Sequence, residues 1–336
     1  MANLRIPFEE LVDIFTKILL NYSFSSERAR LSATLFARAN LDGVASHGLN
    51  RFPYYLKMIS QGYINADAEP ETVGSFGSFE RWDGKRGPGN LNAYYSMARA
   101  IDLAKSHGMG CVTLRNSNHW MRGGNFGWQA VEQDCLGICF TNTKPNMPPW
   151  GGREAKVGNN PVIIAVPGKE NPIVLDMALS QFSYGKITTY LRNKERLPYD
   201  GGFDPAGNLT KDPEKILEKE LALPIGLWKG AGLSLMLDLL VSTLSQGNAT
   251  MDLGRQVVES GVSQFFLCFY LPGLGIPTYP EQKIREILQD LKSSAVFGDS
   301  QVRFPGEQTL STRRDNLANG VPVDRDIWER VLKELG

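Results

Sequence analysis

The chain opens on a helical periodicity. Leu11, Ile14, Phe15, Ile18 and Leu19 fall at i, i+3, i+4, i+7 and i+8, which makes one face of a helix from Phe8 to about Tyr22 apolar. Ser25 or Ser26 caps a second helix that runs to about Gly43. A third carries Tyr55, Leu56, Met58 and Ile59 and stops at Gly62, with Pro53 either in its first turn or kinking it. The first sixty or so residues therefore read as a helical lobe.

The period then shortens. Glu71-Thr72-Val73-Gly74 and Phe79-Glu80-Arg81-Trp82-Asp83-Gly84 read as short strands joined by turns, which sets a domain boundary near residue 67. A helix follows from about Asn90 to His107, where an imidazole suits a helix C-terminus. The spacing next predicts strands at Cys111–Leu114, Ile138–Thr141, Val162–Val166, Pro172–Leu175 and Ser263–Leu271. Between them Asp212-Pro213 starts a helix, and an apolar helix runs from Trp228 through Leu233, Met236, Leu237 and Leu240 to near Gly247. Helices near 280–292 and 323–335, the last capped by Asp324, close the chain. Strands alternating with helices indicate α/β, yet several connections are too short for a regular parallel sheet.

Composition narrows the function. The 336 residues hold 36 Lys+Arg against 36 Asp+Glu, so nothing suggests a nucleic-acid groove or a membrane-surface patch. The four cysteines lie mostly in apolar runs and lack metal-ligand spacing, as buried thiols in a reducing compartment do. No signal-peptide pattern marks the first ten residues, and Asp238 interrupts the best membrane-span candidate, so the expected location is the cytoplasm.

Candidate chemistry gathers at two places. In Ala45-Ser46-His47-Gly48-Leu49-Asn50-Arg51 an imidazole and a guanidinium stand four apart, and on a helix they would share a face. One can pass a proton near neutral pH while the other grips a carboxylate in a two-pronged hydrogen bond, a pairing suited to reduction of an oxo acid. The plainer alternative is a turn-capping histidine and a solvated arginine. The second place is Asn116-Ser117-Asn118-His119, at the end of a strand, where His119 either transfers the proton or orients the carbonyl. Lys144 either adds positive charge for an acid substrate or is solvated. Asp176 either accepts from a ribose hydroxyl or caps the following helix. No Gly-x-Gly-x-x-Gly follows a strand; Gly230-Ala231-Gly232 comes nearest and lacks the third glycine, so spacing alone leaves the cofactor undecided. Walker, His-Glu-x-x-His and Gly-x-Ser-x-Gly patterns are absent, which weakens phosphoryl-transfer, zinc-protease and serine-hydrolase readings.

Three separated segments carry a family resemblance. Ser46-His47-Gly48-Leu49-Asn50-Arg51-Phe52-Pro53, Asn118-His119-Trp120-Met121-Arg122-Gly123-Gly124 and Met147-Pro148-Pro149-Trp150-Gly151 make the chain resemble, over essentially its whole length, the malate/L-lactate dehydrogenase family, and within it the 2,3-diketo-L-gulonate reductase branch. The resemblance implies an oxidoreductase that moves a hydride from NADH, or as second choice NADPH, to the carbonyl of a 2-oxo or 2,3-dioxo sugar acid. Malate, lactate, ureidoglycolate and cyclic imino acids are the alternative substrates within the family; a catalytically idle sugar-acid binding protein is the alternative outside it. It also implies His47 as proton donor, with His119 in that role in some relatives, and Arg51, Asn118 and Lys144 toward the substrate. Cofactor contacts fall on Pro172, Ile173, Val174, Leu175, Asp176, Met177 and Ala178, on Trp228 and Lys229, and on Gly306, Glu307 and Gln308. The implied fold is non-Rossmann: a helical domain over 1–66, joined by a C-terminal helix over 309–336, packed on an α/β domain over 67–308 with a mixed, largely antiparallel sheet. A homodimer is implied, and no metal.

Overall fold

A short strand, β1 (Leu4–Ile6), leads into helices α1 (Phe8–Leu20), α2 (Ser26–Leu41) and α3 (Phe52–Ser60), as the 3.6-residue period requires. This computed structural model describes residues 4–169, 171–276 and 279–336, without the side chains of 279 and 280; residues 1–3 of the N-terminal segment weighed for a signal peptide lie outside it. The three helices meet on aromatic rings. Phe15 stacks on Phe52 at 4.3 Å and Phe36 meets Phe52 edge-on at 5.1 Å, all three fully buried.

Strands β2 (Glu71–Phe76) and β3 (Phe79–Asp83), helix α4 (Gly89–His107), strand β4 (Met109–Ser117), helix α5 (Gly124–Val131) and strands β5 (Cys135–Thr141), β6 (Val162–Val166) and β7 (Ile173–Met177) come next. Then follow α6 (Tyr184–Arg192), β8 (Gly202–Phe203), β9 (Leu209–Thr210), α7 (Pro213–Lys219), α8 (Trp228–Ser245), α9 (Thr250–Gly254), β10 (Val262–Tyr270) and α10 (Tyr279–Lys292). The chain finishes with α11 (Glu307–Asn319), β11 (Val321–Val323) and α12 (Arg325–Leu332).

Seven strands form one sheet in the order β2-β3-β4-β10-β5-β6-β7. Only β3 and β4 pair in parallel, because α4 supplies the crossover that a parallel pair needs; the other pairings are antiparallel. Side-chain alternation then assigns the faces. Cys139, Ile163 and Phe266 point into a core with α4 and α5, while Phe140, Val162 and Phe265 point to the opposite face, where Leu237 and Val241 of α8 cover them.

The expected single C-terminal helix over 309–336 is instead a helix, a strand and a helix. Gly320 takes φ 82°, Pro322 lacks an N–H, and the β-branched Val321 and Val323 pair with β1. The side chains of Val321, Val323, Trp328 and Val331 thereby enter the core of the N-terminal helices. Helices α5 and α6 carry weak sequence signals; Ser183 caps α6 by accepting from the Lys186 N–H at 3.2 Å. Helix α8 is apolar almost all round. Leu233, Leu235, Met236, Leu239 and Leu240 on its outer side are each 43–52% exposed.

Candidate active site

The segment after α2 turns too tightly for an α-helix. Ala45–His47 forms a single 3-10 turn, and Gly48, at φ −109° and ψ −121°, ends it. Glycine is required there: a Cβ would lie 1.9 Å from Asn40 Oδ1 and 2.9 Å from the Phe36 carbonyl. Asn40 Oδ1 instead accepts from the Leu49 N–H. Arg51 becomes the N-cap residue of α3, so His47 and Arg51 do not share a helix face as expected; the turn still leaves them close enough for the guanidinium charge to act on the imidazole.

The second histidine comes from the sheet. Strand β4 ends at Ser117, and the loop beyond it is pinned by Asn118, whose amide nitrogen donates to the carbonyls of Tyr63, Arg86 and Gly87 at 3.3, 2.8 and 3.0 Å. Those bonds commit that nitrogen to the scaffold. Met121, at φ 63°, turns the chain so that its N–H donates to His119 Nδ1 at 3.0 Å. The proton of neutral His119 therefore sits on Nε2. The two imidazoles stack with centroids 5.9 Å apart and planes 16° from parallel.

Their electrostatics differ. Burial pushes His119 well below the ordinary imidazole value, and the charges of Arg51 and His47 push it further. Burial also lowers His47; the Asp176 carboxylate opposes that shift, whereas Arg51 and Arg122 reinforce it. His47 Nδ1 lies 3.0 Å from Ser46 Oγ. Of the two rings, His47 is the one with a nearby carboxylate favouring its charged form.

Arg51 lines a recess of about 30 Å³ with Asn118, His119, Met121 and Glu259. Its guanidinium lies 4.4 Å above the Tyr54 ring and makes no hydrogen bond or ion pair among the described residues. Lys144 does not present its ammonium to this recess: Nζ donates to the carbonyls of Gln256 and Val257 at 2.8 and 3.3 Å. Its backbone N–H donates to Glu259 Oε2 at 2.8 Å.

A second cleft, of about 190 Å³, lies between Val174–Asp176 and the residues Pro305, Gly306 and Thr309, with Val44, Arg122 and Trp128 on its walls and neither Glu307 nor Gln308 among its lining. It joins two of the three segments expected to hold a cofactor. The Val174 N–H donates to the Pro305 carbonyl at 3.2 Å, and Gly306, at φ 90°, approaches β7 so closely that a Cβ would stand 3.0 Å from the Val174 nitrogen. Asp176 Oδ2 accepts from the Gly124 N–H at 3.0 Å, and Oδ1 has no partner among the described residues. Asp176, which lines this cleft with one carboxylate oxygen still without a partner, fits a group that brings hydroxyls. Glu307 pairs with Lys292 and Gln308 with Thr312, so neither reaches Asp176. Trp228 and Lys229 line neither cleft; they stand exposed at the start of α8, beside the β7 exit through the 2.8 Å bond from Ile225 N–H to the Leu179 carbonyl.

Residue-by-residue reading missed the charges beneath the site. Asp42 accepts from Arg122 and takes both Nε and Nη2 of Arg313 at 2.6 and 2.8 Å, with Asp42 and Arg122 side chains 1% and 3% exposed. Arg122 continues to Asp176 at 3.7 Å, and Arg313 lies over Trp128 at 4.4 Å. Glu259 was missed too. Arg122 sits inside a segment already singled out; Asp42, Arg313 and Glu259 reach the site from distant stretches that give no local signal.

Two stacked imidazoles, one of them beside a guanidinium with no ion pair among the described residues, on a mixed sheet lacking the dinucleotide turn, fit an oxidoreductase of oxo acids outside the Rossmann class. Comparison with known proteins agrees. The model of the malate/L-lactate dehydrogenase family matches residues 6–332, and the chain belongs to that family. It is 42% identical over 332 residues to 2,3-diketo-L-gulonate reductase of Citrobacter koseri, covering 98% of this chain and 99% of the relative. Malate dehydrogenase of Pyrococcus horikoshii OT3 superposes with a TM-score of 0.90 at 29% identity, covering 99% of this chain and 96% of that one. Sulfolactate dehydrogenase of Methanocaldococcus jannaschii does so with 0.88 at 30% identity and the same coverage.

Proposed function

We propose that this enzyme reduces the carbonyl of a 2-oxo or 2,3-dioxo sugar acid, in the manner of a 2,3-diketo-L-gulonate reductase, with NADH preferred to NADPH. The observation that carries this reading is the stacking of His47 on His119, which shares a recess with an Arg51 guanidinium that has no ion pair among the described residues. Arg51 grips the substrate carboxylate through its planar fork. His119 donates a hydrogen bond from Nε2 to the carbonyl oxygen, its tautomer fixed by Met121. His47 gives up the proton that converts the developing alkoxide to an alcohol, with Asp176 stabilising the charged form it needs. The chemistry a bound reduced nicotinamide supplies is a hydride for the carbonyl carbon.

Residues of the cleft between Pro172–Ala178 and Gly306 hold that cofactor, with Trp228 and Lys229 at its far side. Asp176 Oδ1 accepts from a ribose hydroxyl of that cofactor. The exposed apolar side of α8 supports a homodimer, since so much contiguous apolar surface is costly in water. No helix among the described residues is long and apolar enough to cross a membrane. The reading is of a cytoplasmic enzyme with two domains divided near residue 67.

The test is loss of nicotinamide absorbance with purified protein and 2,3-diketo-L-gulonate, oxaloacetate, pyruvate and piperideine-2-carboxylate, each with NADH and NADPH. Turnover concentrated on the sugar acid is expected. Turnover on another oxo or imino acid alone would replace the substrate, and ligand binding without turnover would replace the activity.

A further inference from the structure

The recess that holds Arg51 has an acid on its wall. Glu259 lines it together with Arg51, Asn118 and His119, yet Glu259 and Arg51 form no ion pair: their charges share one small space without touching. A cation and an acid held apart in a recess can take different ends of one ligand, whereas in contact they would neutralise each other.

Glu259 is held in place by a dedicated clamp. The Lys144 N–H donates to Oε2 at 2.8 Å, and the Lys144 ammonium ties down the two carbonyls of Gln256 and Val257 just before it. Three bonds from a single lysine thus fix the segment that carries the acid, and Lys144 acts on the recess through Glu259. Burial raises the Glu259 carboxyl, opposed by the Lys144 N–H and by the charges of Arg51 and Lys144.

We infer that Glu259 is a specificity-determining residue that accepts a hydrogen bond from a substrate hydroxyl while Arg51 holds the carboxylate, so that the site selects hydroxylated oxo acids over unsubstituted and dicarboxylic ones. This rests on the sugar-acid reading above and deepens it. A hydroxyl satisfies the carboxyl oxygen. An alkyl chain leaves it desolvated without a partner, and a second substrate carboxylate places two acids in one site, which neither tolerates.

The experiment compares kcat/KM for 2,3-diketo-L-gulonate, for 2,3-dioxohexanoate, which is the same six-carbon dioxo acid without hydroxyls, and for oxaloacetate, in wild type, Glu259→Gln and Glu259→Asp. Wild type should prefer the hydroxylated acid to its hydroxyl-free counterpart by about 10- to 100-fold, the range for a hydrogen bond to a charged group. Glu259→Gln keeps an acceptor for the Lys144 N–H but loses the charge; it should narrow that preference roughly tenfold and raise oxaloacetate relative to the sugar acid. Should Glu259→Gln fail to fold, the wild-type ratio and a reduced but same-signed preference in Glu259→Asp carry the test. A wild-type ratio near one, or equal losses on all three substrates in Glu259→Gln, would overturn the role of Glu259 and leave the sugar-acid reading standing. A wild type that reduces oxaloacetate but not 2,3-diketo-L-gulonate would overturn both, and would show it before any variant is made.

Discussion

Two segments bring their histidine rings face to face, and they are held differently. His47 sits on a single 3-10 turn between α2 and α3, held by backbone bonds from His47 to Val44 and from Gly48 and Asn50 to Ala45, and by the Asn40 bond to Leu49. His119 sits in a loop whose neighbours are saturated: Asn118 feeds three carbonyls, and the Met121 N–H occupies Nδ1. At the first ring the Asp176 carboxylate acts against the burial that lowers it; the second has no such carboxylate and is fixed in one tautomer. A site that must both orient a carbonyl and protonate its oxygen can divide the tasks this way, giving the ring of fixed tautomer the hydrogen bond and the ring beside the carboxylate the proton.

Replacing each histidine separates the two roles. His47→Ala should lower kcat by roughly 10²- to 10⁴-fold, the usual share of general acid catalysis, with cofactor affinity held, as steady-state kinetics and nicotinamide fluorescence titration would report. Equal or larger loss in His119→Ala, with His47→Ala spared, would reverse the roles. Next in size is the buried charge network below both segments. Asp42→Ala leaves the nearly inaccessible Arg122 without its closest carboxylate, and urea unfolding should show a loss of about 3–5 kcal/mol. Arg51→Lys keeps the charge and loses the fork, so KM for the oxo acid should rise about 10- to 100-fold with kcat changed less.

The smallest effect concerns pH. Both imidazoles are held below the ordinary 6.5 by burial, so the unfolded chain takes up protons first as pH falls. Their contribution to stability is fully present above about 6.5 and is lost as pH drops from there toward the folded values. The thermal midpoint of His119→Asn should decline less steeply than that of wild type across that window. An unchanged slope would mean that His119 is not the buried group described here.

The same contrast governs what could be read from the sequence. His47, Arg51 and His119 stood out because scarce side chains fell beside glycines and strand ends, and the helical period of Leu11–Leu19 and the strand at Cys111–Leu114 were plain. The shape of the His47 turn was not legible, because it depends on Asn40 and Phe36 occupying the space a Cβ would need. Lys144 could be flagged as a charge, but its three bonds to the 256–259 segment span more than a hundred residues and leave no local trace. Asp42 and Arg313 meet only because the C-terminal helix α11 returns to α2, and the break at Gly320 that ends α11 gains its meaning from pairing with the first strand.

Whether the transferable proton resides on His47 is read most directly from the pH profile of kcat/KM for carbonyl reduction in wild type, His47→Asn and His119→Asn. A fall with rising pH, set by a group held below 6.5, should persist in His119→Asn and vanish in His47→Asn. A fall that persists without His47 and vanishes without His119 would contradict the His47 assignment.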